Sequence, residues 1–198
     1  MRCGPARWGE RHNTETQRHR EQKTDLMQRR KEAKARRTRK VVGKLNISIE
    51  RAALADAENL VRVQIAAFHH DAVMYPGVEI GGPPGYASVE TMREKIEQDE
   101  TYKIVHEGQC IGGIVVFDKA QGHYHLDVIF IEPAYHNRGI GSQAMEFIER
   151  TYPARRWTLD TPQYAVRNQH FYEKFGYVKM AEHEADDIVL YAYEKRTG

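Results

Sequence analysis

The feature that most constrains this chain is a junction. The run HYHLDVIFIE, residues 123–132, passes through Pro133 into HNRGIG and then into the helix-patterned segment SQAMEFIERTY. Its apolar and β-branched residues predict a strand, and the segment beyond the glycines places Ala144, Met145, Phe147 and Ile148 on one buried side of a helix. A strand that turns on glycines into an amphipathic helix requires a sheet with helices layered on it. The first turn of such a helix leaves several backbone N–H groups without partners. Glycine at 139 and 141 lets an anion approach the backbone, the helix dipole favours negative charge, and Arg138 adds a cation. The same spacing also fits a plain tight turn. Neither GxxxxGK[ST] nor a three-glycine dinucleotide fingerprint occurs, which argues against ATP and NAD.

The remaining elements follow from periodicity. LNISIERA alternates as a strand, and DAENLVRVQIAAFHH reads as an amphipathic helix. A loop with Tyr75, Pro76, Gly77 and the cluster GGPPG leads into SVETMREKIEQDE, a helix that Ser88 can cap. YKIVHE, QCIGGIVVFD and HYHLDVIFIE are separated by short turns and predict an antiparallel meander. After the glycine-led helix come a strand at RRWTLDT, a helix over Val166–Phe175 ended by Gly176, and strands at YVKMAEHE and DIVLYAYEKR. The order β-α-α-β-β-β-α-β-α-β-β is an α/β chain with a mixed sheet, without the regular βαβ rhythm of a doubly wound fold.

Charge divides the chain near Lys44. Residues 1–44 hold 15 Lys or Arg against 5 Asp or Glu, while residues 45–198 hold 15 against 23. The first segment has few large apolar residues, so it is expected to be a disordered basic tail able to attract a polyanion such as nucleic acid, or simply a solvated one. Residues 45–198 are the expected working domain, long enough to bury about 70% of the unfolded chain's surface. No apolar run is long enough to span a membrane, and the N-terminus lacks the apolar centre of a secretory signal, so the expected compartment is the cytoplasm. Cys3 and Cys110 form no disulfide framework or spaced metal site, and Cys110 is expected to be a free buried thiol. His69, His70 and Asp71 are adjacent at a helix end and are not expected to converge on a metal.

IFIEPAYHNRGIGSQAMEFIE, residues 129–149, resembles the acetyl-CoA-binding motif of the GNAT superfamily of acyltransferases, and RNQHFYEKFGYV, residues 167–178, is similar to that family's later motif. The two occur in the family's order, and the resemblance covers about three quarters of the chain. It implies a GNAT-like acyl-CoA N-acyltransferase fold with acetyl-CoA as the acyl donor. By resemblance, the pyrophosphate of coenzyme A rests on the loop formed by His136, Asn137, Arg138, Gly139, Ile140, Gly141 and Ser142, and pantetheine pairs with the strand at Ile129, Phe130 and Ile131. The sequence departs from the family at two points. The signature (Q/R)xxGx(G/A) begins here with His136, and the position seven before Tyr172, often Asn in the family, is Ala165. Asn168, four before Tyr172, shares its helix face and is the candidate that points toward the cofactor instead.

Acyl transfer from a thioester to an amine needs a neutral amine, a donor to the developing oxyanion and a proton for the departing thiolate. Tyr172 matches the family's tyrosine that protonates the sulfur; the competing reading is a core aromatic beside Phe171 and Phe175. A backbone N–H near Ile131 is the expected oxyanion donor. His125 occupies the place where histone acetyltransferases of the family carry a Glu base, and Asp127 alternates with it on the strand as a possible orienting carboxylate. Glu132 and Glu79 are rival bases. Glu79 and Tyr75, in the loop between the first two helices, are expected on the acceptor side, where the acidic domain favours a cationic amine. The first functional expectation is therefore an N-acetyltransferase acting on a small-molecule or peptide amine, as a monomer or homodimer. The second is a non-catalytic module that binds coenzyme A as a sensor or scaffold, with the tail docked on a polyanion.

Overall fold

The computed structural model of the protein describes residues 45–185 and 188–197. The basic tail and Cys3 lie outside the described residues. In chain order the elements are β1 (Ser48–Arg51), α1 (Ala57–Met74), α2 (Val89–Gln98), β2 (Glu100–His106), β3 (Gln109–Asp118), β4 (His123–Ile131), α3 (Ile140–Thr151), β5 (Arg156–Pro162), α4 (Val166–Lys174), β6 (Val178–Ala185) and β7 (Ile188–Arg196). This is the order that periodicity predicts. Local signals place the boundaries where they are legible: Ser88 Oγ accepts the Thr91 N–H at 3.1 Å and opens α2.

The strands form one seven-stranded sheet in the order β1-β2-β3-β4-β5-β7-β6. Every neighbouring pair is antiparallel except β4 and β5. The last strand is inserted between β5 and β6, so its apolar positions pair within the sheet. The helices cover the sheet in two clusters. Ile140, Ala144, Met145 and Ile148 of α3 pack with Ile104, Ile114, Leu126, Trp157, Leu159, Tyr177 and Tyr193. Leu60, Val61 and Val63 of α1 and Met92 and Ile96 of α2 pack with Phe130.

Two details of this packing position β4. Gly112 and Gly113 in β3 let β4 and α1 close in: a Cβ at 113 would lie 2.4 Å from Phe130 Cζ and 2.9 Å from Leu60 Cδ2, and one at 112 would lie 2.6 Å from the Phe130 carbonyl. The β3–β4 register also shifts between Val115 and Val116, which leaves Asp127 as an extra residue opposite β3. Before this bulge Tyr124 and Leu126 pack with the α3 cluster; beyond it Ile129 and Ile131 do, while Val128 and Phe130 turn to α1. The bulge inverts the alternation midway along β4.

Candidate functional site

β4 keeps its hydrogen bonds to β3 as far as Gly112 opposite Ile131, but its parallel pairing with β5 stops at Leu126 opposite Leu159. From Asp127 onward the two strands separate and a slot opens between them. Glu132 N–H donates to Ile111 O at 2.8 Å, and antiparallel ladders alternate, so Phe130 bonds toward β3 while the backbone groups of Ile129 and Ile131 face the slot. An extended chain can pair with such an edge.

The slot leads to the glycine turn. Gly139 precedes α3 with φ +76°, Asn137 is also left-handed at φ +62°, and no side chain caps the helix. A Cβ at Gly139 would meet nothing within 4 Å, so there is open space beside the turn that starts α3, a helix end whose first amides have no side-chain cap. Arg138 is exposed and lies over the Tyr135 ring, 5.3 Å from its centroid. Gly141 admits Phe171 of α4, whose Cζ would be 3.3 Å from a Cβ there, and so brings α4 beside the turn. His136 is occupied differently from a phosphate ligand. Its Nε2 donates to Ile131 O at 2.8 Å, its Nδ1 faces Arg167 Nη1 at 3.4 Å, and His70 of α1 packs edge-on at 5.4 Å. Burial lowers its pKa below the ordinary histidine value, outweighing the bond to the Ile131 carbonyl, so the neutral ring pins the turn to the end of β4.

Tyr172 and Asn168 share one face of α4. Tyr172 packs against the α3 cluster with Phe171 and Tyr177 at 5.4 and 6.1 Å, and burial pushes its hydroxyl up to about 12. The hydroxyl is therefore protonated at neutral pH.

His125 sits where the slot begins, stacked on Phe117 at 6.0 Å, with its Nδ1 3.0 Å from Thr158 Oγ1 and its Nε2 4.0 Å from Asp160 Oδ2. Burial lowers its pKa, and the opposing pull of Asp160 and then Asp127 does not restore it. The resting imidazole is neutral, so its approach to Asp160 is not an ion pair. Together with Arg156, Thr158, Met180 and Glu194, His125 and Asp160 line a cleft of about 180 Å³. Asp127 shares the His125 side of the sheet, but its carboxylate is bound by Lys95 of α2 at 2.7 Å. Asp160 is thus the carboxylate that the His125 Nε2 faces. Glu132 is paired with Arg62 of α1 at 3.1 Å.

On the neighbouring helix end, Tyr75 packs with Tyr164 at 5.5 Å, and burial followed by the nearby Asp71 raises both phenols. Burial also raises the Asp71 carboxyl, against the pull of His70 and Arg167. Glu79 is exposed in the loop after Tyr75. His69 bonds to Tyr86 Oη at 2.9 Å while His70 packs on His136, so these neighbours diverge. Among the described residues no group of three or more His, Cys, Asp or Glu is placed to hold a metal, and no helix is long and apolar enough to cross a membrane. Cys110 is a half-buried free thiol whose pKa burial raises.

Thr158 and Asp160 were not candidates from the sequence. They alternate with Trp157 and Leu159 in RRWTLDT, which marks them as the polar face of a strand. Their partner was hidden, because the parallel register that sets Thr158 opposite His125 is made across a helix and two turns.

Residues 97–179, which contain the slot, the glycine turn and Tyr172, match the family model described as an acetyltransferase (GNAT) domain. Over this stretch the chain is similar to the GNAT acetyltransferases. The uncharacterized protein YrkN of Bacillus subtilis is 40% identical to it over 73 residues, a match that spans 36% of this chain and 40% of YrkN. Among solved structures, the chain resembles the PaiA N-acetyltransferase of Thermoplasma acidophilum in complex with coenzyme A, with a TM-score of 0.60 and 18% identity over 77% of this chain and 100% of that one. It also resembles the ribosomal-protein-S18-alanine N-acetyltransferase of Escherichia coli, with a TM-score of 0.61 and 12% identity over 76% of this chain and 94% of that one. At these identities the likeness establishes the GNAT fold.

Proposed function

We propose that the protein is a cytoplasmic acetyl-CoA-dependent N-acetyltransferase acting on a cationic primary amine, either a small molecule or a peptide. The observation that carries this reading is the separation of β4 from β5 beyond Leu126, leading to an uncapped glycine turn. An open strand edge beside unpaired helix amides fits a ligand with an amide-bearing arm and a pyrophosphate, which is the chemistry of coenzyme A. The loop amides from Arg138 to Ser142 hold the pyrophosphate, and the slot-facing backbone of Ile129 and the N–H of Ile131 pair with pantetheine, the Ile131 carbonyl being engaged by His136. Asn168 contributes from α4. The open space beside Gly139 supports this placement.

When bound, acetyl-CoA supplies an activated acetyl thioester. His125 takes a proton from the amine, a reaction open to a neutral imidazole, and the nearby Asp160 stabilises the imidazolium that forms. A slot-facing N–H near Ile131 donates to the carbonyl oxygen as it gains charge. Tyr172, held protonated by its surroundings, donates to the leaving sulfur. Glu79, Tyr75 and the half-buried Asp71 lie on the acceptor side and, in a domain of net acidic charge, favour a cation. Asp127 and Glu132, held by Lys95 and Arg62, shape the wall of the site.

The test is a screen of amines for acetyl-CoA-dependent acetylation, with Tyr172→Phe as the control. An accepted amine whose acetylation Tyr172→Phe suppresses supports the reading. Binding of acetyl-CoA with no amine acetylated would leave a coenzyme A-binding module instead.

A further inference from the structure

Thr158 Oγ1 lies 2.9 Å from His123 Nε2 and 3.0 Å from His125 Nδ1. A hydroxyl carries one proton, so it donates to one of these imidazoles and accepts from the other. These two rings are its only side-chain partners among the described residues. Once an acceptor amine occupies the Nε2 side of His125, the other ring nitrogen opens only onto Thr158. The geometry points to a proton relay in which Thr158 and His123 carry the amine's proton away from His125.

This inference rests on His125 being the base. The ammonium N–H bond breaks as His125 Nε2 takes the proton and the amine keeps the electron pair. His125 Nδ1 then passes its own proton to Thr158 Oγ1, the Thr158 hydroxyl proton moves to His123 Nε2, and His123 releases a proton from Nδ1 to water. The Thr158 hydroxyl again holds one proton, both imidazoles end neutral in the other tautomer, and one proton has moved to solvent. Exchange of the ring protons with water restores the starting tautomers before the next turnover. Burial keeps both rings neutral at rest, so neither retains the charge. The charged groups around the chain are Asp160, Asp127 and Lys119 at His125, and Arg156, Glu194 and Lys119 at His123.

The test compares Thr158→Val, which keeps the shape and loses the hydroxyl, with Thr158→Ser, which keeps both partners. With an amine accepted in the screen above, Thr158→Val should lower kcat about tenfold or more at unchanged KM for acetyl-CoA, whereas Thr158→Ser stays within about twofold. His123→Phe should match Thr158→Val, and the double variant should lose no more than either alone, because both cut one path. Nitrogen-15 NMR of the imidazoles gives a readout independent of turnover: His123 and His125 should titrate as a coupled pair, and Thr158→Val should uncouple them. Wild-type kcat in Thr158→Val, or independent losses in the two single variants, would overturn the relay. A fully active His125→Ala would instead overturn the base assignment itself.

Discussion

The two halves of β4 are one strand in two environments. From His123 to Leu126 it is hydrogen-bonded on both edges, to β3 and β5; from Asp127 to Ile131 only β3 remains. The paired half carries side-chain chemistry, with His123 and His125 sharing Thr158 across the parallel ladder. The open half presents backbone instead. An unpaired edge inside a sheet is normally a hazard, and here it lies in the middle of the sheet, where α3 and α4 flank it. The lesson is that a slot can be made by withholding a strand partner, while the neighbouring paired residues hold their side chains in fixed positions.

Breaking the chemistry at this boundary should produce the largest effects. Tyr172→Phe removes the acid while keeping the ring's packing, and kcat should fall about 1,000-fold in steady-state assays with acetyl-CoA affinity retained. His125→Ala should cost about 100-fold in kcat/KM. The pH profile sharpens the same point. A base must be deprotonated to act, and burial depresses the His125 pKa, so wild-type activity should persist as pH falls to about 6.5 and drop only below it. His125→Ala should lose that acid limb.

Smaller effects probe how the open half is supported. Gly113→Ala drives a methyl group against Phe130 and Leu60 and should destabilise the fold by about 1–3 kcal/mol in denaturant unfolding. Arg62→Ala removes a partly exposed ion pair with Glu132 and should cost less than about 1 kcal/mol.

The same division governs what the sequence reveals. The open half and its turn are contiguous from Ile129 to Ser142, so glycine spacing and the apolar strand expose them directly. Tyr172 and Phe171 lie in one short motif and are equally visible. The paired half depends on contacts between distant segments. That Lys95 takes Asp127, that Asp160 faces His125, and that His136 spends its Nε2–H on Ile131 all follow from helix docking and strand register, which periodicity does not encode. The bulge at Asp127 is hidden for the same reason, since it is defined only against β3.

The central claim, that the slot and its glycine turn bind acetyl-CoA, is tested most directly by calorimetric titration of acetyl-CoA into the wild type and Gly139→Asp. The variant places a carboxylate where the space beside the α3 amides is open, at a left-handed position that Asp tolerates better than most residues. Saturable 1:1 binding to the wild type, lost in a folded Gly139→Asp, is the predicted result. Equal binding to both proteins, or none to the wild type, would contradict it.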